Sequence, residues 1–270
     1  VTITIDYPYS QIIPDELEYL KFLVHKVSNN FLENEINFYI TNNRHITFKT
    51  KNNVVFLSGN ENNCILEDNN FILCFNNFYR KILDARYHPF PLGTNKFIFE
   101  IRKKYKPVEF DKRKYDIFFA GCIHPSRQQF KSQIQLLKCE KYLHFSSKNN
   151  LQSFENDLSP DEYLQIAFNS KIICAPRGAH HISTYRYFES ILSKSISIID
   201  YNDDENIYFE EKNPLCIKIK NWIELNDDMI SNLINDYNNM FTLYDDFFNQ
   251  YMDDEAIVKR TTNIIKCSII

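Results

Sequence analysis

Short apolar runs alternate with stretches of helical period along nearly the whole chain. Val1 to Ile5 alternates with period two and predicts a strand, with Asp6-Tyr7-Pro8-Tyr9-Ser10 as the loop at its end. Pro14-Asp15-Glu16 opens an amphipathic helix whose apolar face is Leu17, Leu20, Phe22, Leu23, Val24 and Val27. The runs 36–40, 46–48, 54–57 and 70–75 predict four more strands, and Ser58 to Glu61 a loop at a strand end. His88-Pro89-Phe90-Pro91-Leu92-Gly93 reads as a rigid connector, because two prolines fix the backbone. Lys103 to Lys114 is charged and aperiodic and contains a proline, so it predicts a solvated linker between domains.

Beyond that linker the same alternation resumes. Strands are predicted at 116–120, 141–145, 171–175, 196–199 and 215–219. Helices are predicted at 125–138, from the capping-box-like Ser159-Pro160-Asp161-Glu162 to Phe168, at 183–193, at 227–248 and at 253–266. Tyr201 to Glu211 reads as an acidic loop. Repeated strand–helix units define an α/β protein. The expected division is residues 1–106, residues 107–248 and a last helical segment, 249–270.

Candidate chemistry gathers in one place, Ser170 to Asp200. Two short apolar strands flank a loop and a helix, the pattern of a parallel βαβ crossover. Arg177, Gly178, His180, His181, Ser183 and Arg186 collect where the first strand ends and the helix begins. Free backbone N–H groups and the positive end of a helix dipole suit a phosphate there. Glu189 lies one turn beyond Arg186, placed for a ribose hydroxyl; the plainer reading is an i,i+3 pair with Arg186. These residues predict a site for a nucleotide diphosphate.

Composition narrows the field. Hydrophobic content of 44% and aromatic content of 15% indicate a folded chain. A net charge of -4 with dispersed Lys and Arg gives no nucleic-acid footprint. Seven cysteines form no C-x-x-C pair and no metal-ligand spacing, which fits a reducing compartment. With no signal peptide, membrane-length apolar run or glycosylation sequon, the expected location is cytoplasmic. Only 4 glycines occur (Gly59, Gly93, Gly121 and Gly178), so those kept are expected where φ is positive or backbones approach closely.

The segments SKIICAPRG, STYRYFESIL and SISIID resemble the C-terminal signature of exostosin-like glycosyltransferases, a GT-B family. Asp116-Ile-Phe-Phe-Ala-Gly121 followed by Arg127 resembles the opening of the same domain. The resemblance covers about 115–201 and departs at Ser195 and Ser197, where the family has Gly and Pro. It implies two Rossmann-type domains with a cleft between them and a C-terminal helix crossing back to the first. The implied activity is transfer of a hexose or pentose from a nucleotide diphosphate sugar, a UDP-sugar, to an oligosaccharide or glycoprotein.

Within that reading Arg186 and Arg127 hold the diphosphate, since a guanidinium binds two phosphate oxygens at once. Arg177 is placed for the same role or for a structural one. Ser197 stands where retaining GT-B enzymes carry a second Glu, which points to inversion. An inverting transfer needs a base from the first domain; Glu61 is the first candidate, followed by Asp6 and His88. Tyr7, Tyr9, Tyr79 and Arg80 are candidates for the acceptor side. No D-x-D motif occurs, and neither a metal nor another cofactor is expected. The alternatives are a GDP-sugar (fucosyl-type) transferase and an inactive glycan-binding or scaffold subunit. The sequence is silent on oligomeric state.

Overall fold

A computed structural model describes residues 1–6, 14–58, 65–77, 85–94, 96–123, 125–146, 158–178, 184–201 and 207–269. They form two units, Val1–Asn95 with Phe248–Ile270, and Lys96–Phe247. Each is built on a five-stranded parallel sheet, so the protein is α/β.

The first sheet comprises β1 (Thr2–Asp6), β2 (Asn37–Thr41), β3 (Asn53–Leu57), β4 (Leu73–Asn76) and β5 (Tyr87–Pro89). Its strands lie side by side in chain order. Strands buried on both faces read as continuous apolar runs, as 54–57 does. On one face Phe38, Phe56 and Phe75 stack across neighbouring strands at centroid distances of 6.5 and 5.1 Å, continued by Phe31 and Phe90. Each such ring contributes roughly 1.5–3 kcal/mol by leaving water. The helix of this unit predicted from the first apolar stripe is α1 (Pro14–Ser28).

The opposite face carries Val55, Leu57, Cys74 and Tyr87, and it is covered by irregular chain. Ile46, Phe48, Leu66 and Phe71 plug into it. The expected strand at 46–48 is therefore not a strand. Its apolar side chains serve the core from a loop, and the Phe48 N–H is satisfied by the Asp68 carboxylate at 2.8 Å. The expected connector at 88–93 also differs, because His88 and Pro89 pair with β4 as the edge strand β5. Pro is tolerated at such an edge. Gly93 has φ of 76°, and a Cβ there would sit 2.1 Å from the Tyr19 ring, so the position needs glycine.

The second unit contains α2 (Lys96–Ile101), β6 (Tyr115–Cys122), α3 (Gln128–Leu136), β7 (Lys141–Ser146), α4 (Pro160–Phe168) and β8 (Ser170–Cys174). It continues with α5 (Tyr185–Leu192), β9 (Ile196–Asp200), α6 (Tyr208–Lys212), β10 (Cys216–Ile219), α7 (Asp227–Phe241) and α8 (Tyr244–Phe247). A last helix, α9 (Asp254–Ile269), belongs to the first unit. The second sheet runs β10-β9-β8-β6-β7. From β6 the chain steps one way to β7, then returns past it to β8 and onward, so the winding reverses between β6 and β8. Ser159 and Glu162 cap α4 reciprocally, as the sequence predicts. The supposed acidic loop contains helix α6, with Glu210 buried; 202–206 lie outside the described residues.

The charged stretch at 103–114 is not a solvated linker. Phe110 is buried and stacks on Tyr237 at 3.4 Å. Arg113 is 5% exposed and donates to the carbonyls of Val108, Ser170, Ser193 and Lys194 and to Ser195 Oγ. Burial pushes its pKa down to about 10, and it stays charged at neutral pH. It ties the start of the second sheet to the end of α5, so an otherwise mostly exposed stretch is anchored within the second unit at Phe110 and Arg113. Ser195, one of the two departures from the family pattern, is one of its partners and donates in turn to Ser170 O. Among the described residues no helix is long and apolar enough to cross a membrane.

Candidate anion site at the head of the second sheet

A parallel sheet whose winding reverses leaves a crevice beyond the strand ends at the reversal, because the two crossovers leave in opposite directions. Here that point is the gap between the ends of β6 and β8. Ala120, Gly121 and Cys122 form one side and Ala175 to Gly178 the other, with the start of α5 above β8.

Arg186, in the first turn of α5, reaches over this gap. Its Nε donates to Ala120 O at 2.7 Å, and its guanidinium carbon lies 4.8 Å from the centre of the Phe119 ring. Gly121 has φ of 150°, and a Cβ there would fall 1.7 Å from Nη2 of Arg186. The glycine is what lets the guanidinium lie this close to the strand end. None of the described residues accepts a hydrogen bond from the two Nη groups. At the same helix start, Thr184 is the N-cap residue without a side-chain capping bond, and its Oγ1 is buried and unpaired.

Glu189 is not offered to a ribose in this structure. It is 1% exposed, and the Tyr163 hydroxyl of α4 donates to its Oε2. Burial raises its pKa, while the Tyr163 bond and the charge of Arg186 oppose that rise. The buried carboxyl lies close enough to Arg186 to feel its charge. Tyr163, which the sequence reading did not single out, holds it there. Its only signal was a place on the apolar face of α4.

Arg127 is likewise a structural residue. It is 4% exposed, and it donates to Arg177 O at 2.8 Å, Cys122 O at 2.9 Å and Pro176 O at 3.4 Å. It braces the loop after β8 against the end of β6, shaping the crevice from behind. Arg177 pairs with Asp200 through Nε and its backbone N–H, both at 2.8 Å. That pair lines a cavity of about 390 Å³ with Ser126, Gln129, Lys220 and Trp222.

His180, His181 and Ser183 lie outside the described residues, as do Glu61, Tyr7, Tyr9, Tyr79 and Arg80. In the first unit Asp6 closes β1 and accepts from Asn43 Nδ2 at 3.4 Å. His88 is half-buried beside Phe75, and burial lowers its pKa. Among the described residues no three His, Cys, Asp or Glu side chains are grouped to hold a metal ion.

No family model and no curated protein matches the chain. Solved structures similar to it include a DNA-modifying β-glucosyltransferase studied with and without uridine diphosphoglucose, at 11% identity, full coverage of both chains and a TM-score of 0.47. T4 phage BGT with UDP and Mn²⁺ is 10% identical at a TM-score of 0.38, covering 98% of this chain and 97% of that one. A T4 phage BGT mutant with UDP-glucose is 11% identical, with the same coverage and TM-score. The α/β fold rests on the two parallel sheets themselves rather than on these likenesses.

Proposed function

We propose that the protein is a glycosyltransferase and that its second unit grips the diphosphate of a nucleotide sugar at the β6/β8 gap. The observation that carries this is the Arg186 guanidinium. It is anchored by one nitrogen to the end of β6, and its two Nη groups have no acceptor among the described residues, beside the amino end of α5. In transfer, negative charge grows on the oxygen that leaves the sugar. A fixed guanidinium and a helix amino end stabilise that charge more than the ground state, which is what lowers a barrier.

The sugar's anomeric carbon is attacked by an acceptor hydroxyl, whose proton passes to a base of the first unit: Glu61, Asp6 or His88 in our reading. His88 fits that role electrostatically, since its lowered pKa keeps the imidazole neutral and able to accept a proton at pH 7. Ser197 is buried within β9 and offers no second carboxylate, which supports inversion. A UDP donor and a glycan acceptor are what the family resemblance of 115–201 implies, and independence from metal is expected from the lack of a D-x-D motif.

A thermal-shift panel of UDP, GDP, UMP and inorganic phosphate, with and without EDTA, tests the reading. A ligand that binds only the native state raises its melting temperature. We expect UDP to stabilise the chain, EDTA to change nothing and Arg186→Ala to remove the shift. GDP acting in place of UDP identifies the fucosyl-type alternative. No shift with either nucleotide identifies the scaffold alternative and overturns the proposal.

A further inference from the structure

We propose that β1 is an interface for a second copy of this chain, independent of the donor reading and lying wholly in the first unit. The two β1 strands pair antiparallel about a two-fold axis and join the first sheets of both copies into one. Strand order makes β1 an edge, with β2 on one side and no described strand on the other. Its pairing with β2 runs unbroken from Thr2 to Asp6, without a bulge. Thr2 N–H donates to Ile36 O at 3.4 Å, and backbone groups alternate in direction along a strand, so Thr2, Thr4 and Asp6 bond to β2. Ile3 and Ile5 therefore turn their N–H and C=O groups outward.

Sheet edges are ordinarily guarded by brevity, proline or an outward lysine. β5 is three residues long and includes Pro89, β10 is four residues long and carries the exposed Lys218, and β7 has no exposed residue. β1 carries neither lysine nor proline, and its Ile5 is 46% exposed. Such an edge is a template for another strand.

Self-complementarity selects a second copy as that strand. With Thr4 opposite its own counterpart on the axis, Ile3 of each copy lies opposite Ile5 of the other, and Thr2 opposite Asp6. The Ile3–Ile5 pairs are then the hydrogen-bonded ones, and they use the groups that β2 leaves open. Opposed residues share a face, so isoleucine meets isoleucine on the face of Phe38 and Ile40, their neighbours in β2. On the other face each Thr2 hydroxyl meets an Asp6 carboxylate, of which Oδ2 alone is engaged among the described residues, by Asn43. The two Asp6 charges stay four residues apart along the strands, roughly 14 Å, beyond the screening length at physiological salt. A foreign strand would have to reproduce this alternation; a second copy supplies it.

Five paired residues make a small interface beside the roughly 1,200–2,000 Å² of a standard one, so the dimer is expected to be reversible. Sedimentation velocity of the full chain, reduced and at rising concentration, should show monomer giving way to dimer. Ile5→Lys is expected to abolish the dimer, because each copy then brings an ammonium group to the apolar stripe. Ile5 is exposed, so unfolding does not explain that loss. Ile3→Pro removes one outward N–H per copy and leaves the bonds to β2 intact; two lost hydrogen bonds should weaken the dimer about tenfold. Thr4→Cys places two thiols across the axis, where opposed Cβ atoms approach to about 4.5–5.5 Å. Mild oxidation should join those thiols, read by peptide mass, and should not do so in Thr2→Cys. A monomer at every concentration, a dimer that survives Ile5→Lys and Ile3→Pro, or cross-linking in Thr2→Cys instead of Thr4→Cys overturns the proposal. Loss of UDP binding by Arg186→Ala, or its absence, would leave this interface standing.

Discussion

The two sheets have the same number of parallel strands and different winding, and that difference places the candidate donor site. In the first sheet each strand lies beside its predecessor, so every connection among the five leaves in the same sense. In the second, β6 has β7 on one side and β8 on the other, and the crevice opens where the sense changes. The covering also differs. One face of the first sheet is sealed by loop residues such as Phe48 and Phe71, whereas a face of the second is sealed by α4 through Tyr163, Leu164, Ala167 and Phe168. A helix can hold a titratable pair such as Tyr163 and Glu189 under the crevice; a plug of phenylalanines cannot.

The comparison breaks most severely if the clamp at the base of the second sheet is removed. Arg113→Ala takes a buried guanidinium donor from four carbonyls, of which Ser170 O and Lys194 O keep a second donor in Ser195 Oγ and the Tyr237 hydroxyl, and we expect a loss of roughly 3 kcal/mol. Trp222, the chain's one tryptophan, lies in the second unit, so its fluorescence during urea unfolding reads that unit. Arg186→Ala is next. It is expected to weaken UDP binding by roughly 10- to 100-fold, the value of one or two charge-assisted bonds, without a comparable loss of stability. Calorimetry separates the two effects. Gly121→Ala should follow at about tenfold, because the new Cβ displaces the guanidinium while leaving its charge in place.

Two smaller effects turn on pH. Glu189 has a raised pKa, so its protonated form favours the folded state, and that contribution is lost as pH rises above its ordinary 4.5. Glu189→Gln should therefore raise stability at pH 7 relative to pH 4, while loosening Arg186 and weakening UDP. His88 has a lowered pKa, so its contribution is complete above 6.5 and is lost as pH falls below that. His88→Gln should flatten the acid side of the melting-temperature profile, and an unchanged profile would contradict the assignment.

Much of this was legible in the sequence, because strands covered on both faces announce themselves as apolar runs. The junction of β8 and α5 was legible for the same reason, together with its unusual density of Arg, His and Ser. Other features had no local signature. Ile46 to Phe48 has a strand's composition, and only its place over the sheet makes it a plug. Arg113 sits among lysines and looks solvated, yet its guanidinium meets backbone carbonyls from residues 5 to 81 positions away, a convergence fixed by topology. Arg127 and Arg186 read alike as phosphate ligands. What separates them is that loop carbonyls fill the fork of one and leave the outer nitrogens of the other open.

Crystals soaked in UDP test the central claim most directly. The account predicts diphosphate density at the amino end of α5, with an oxygen within hydrogen-bonding distance of Arg186 Nη. Density for UDP elsewhere, or a β6/β8 gap left empty at saturating nucleotide, would contradict it.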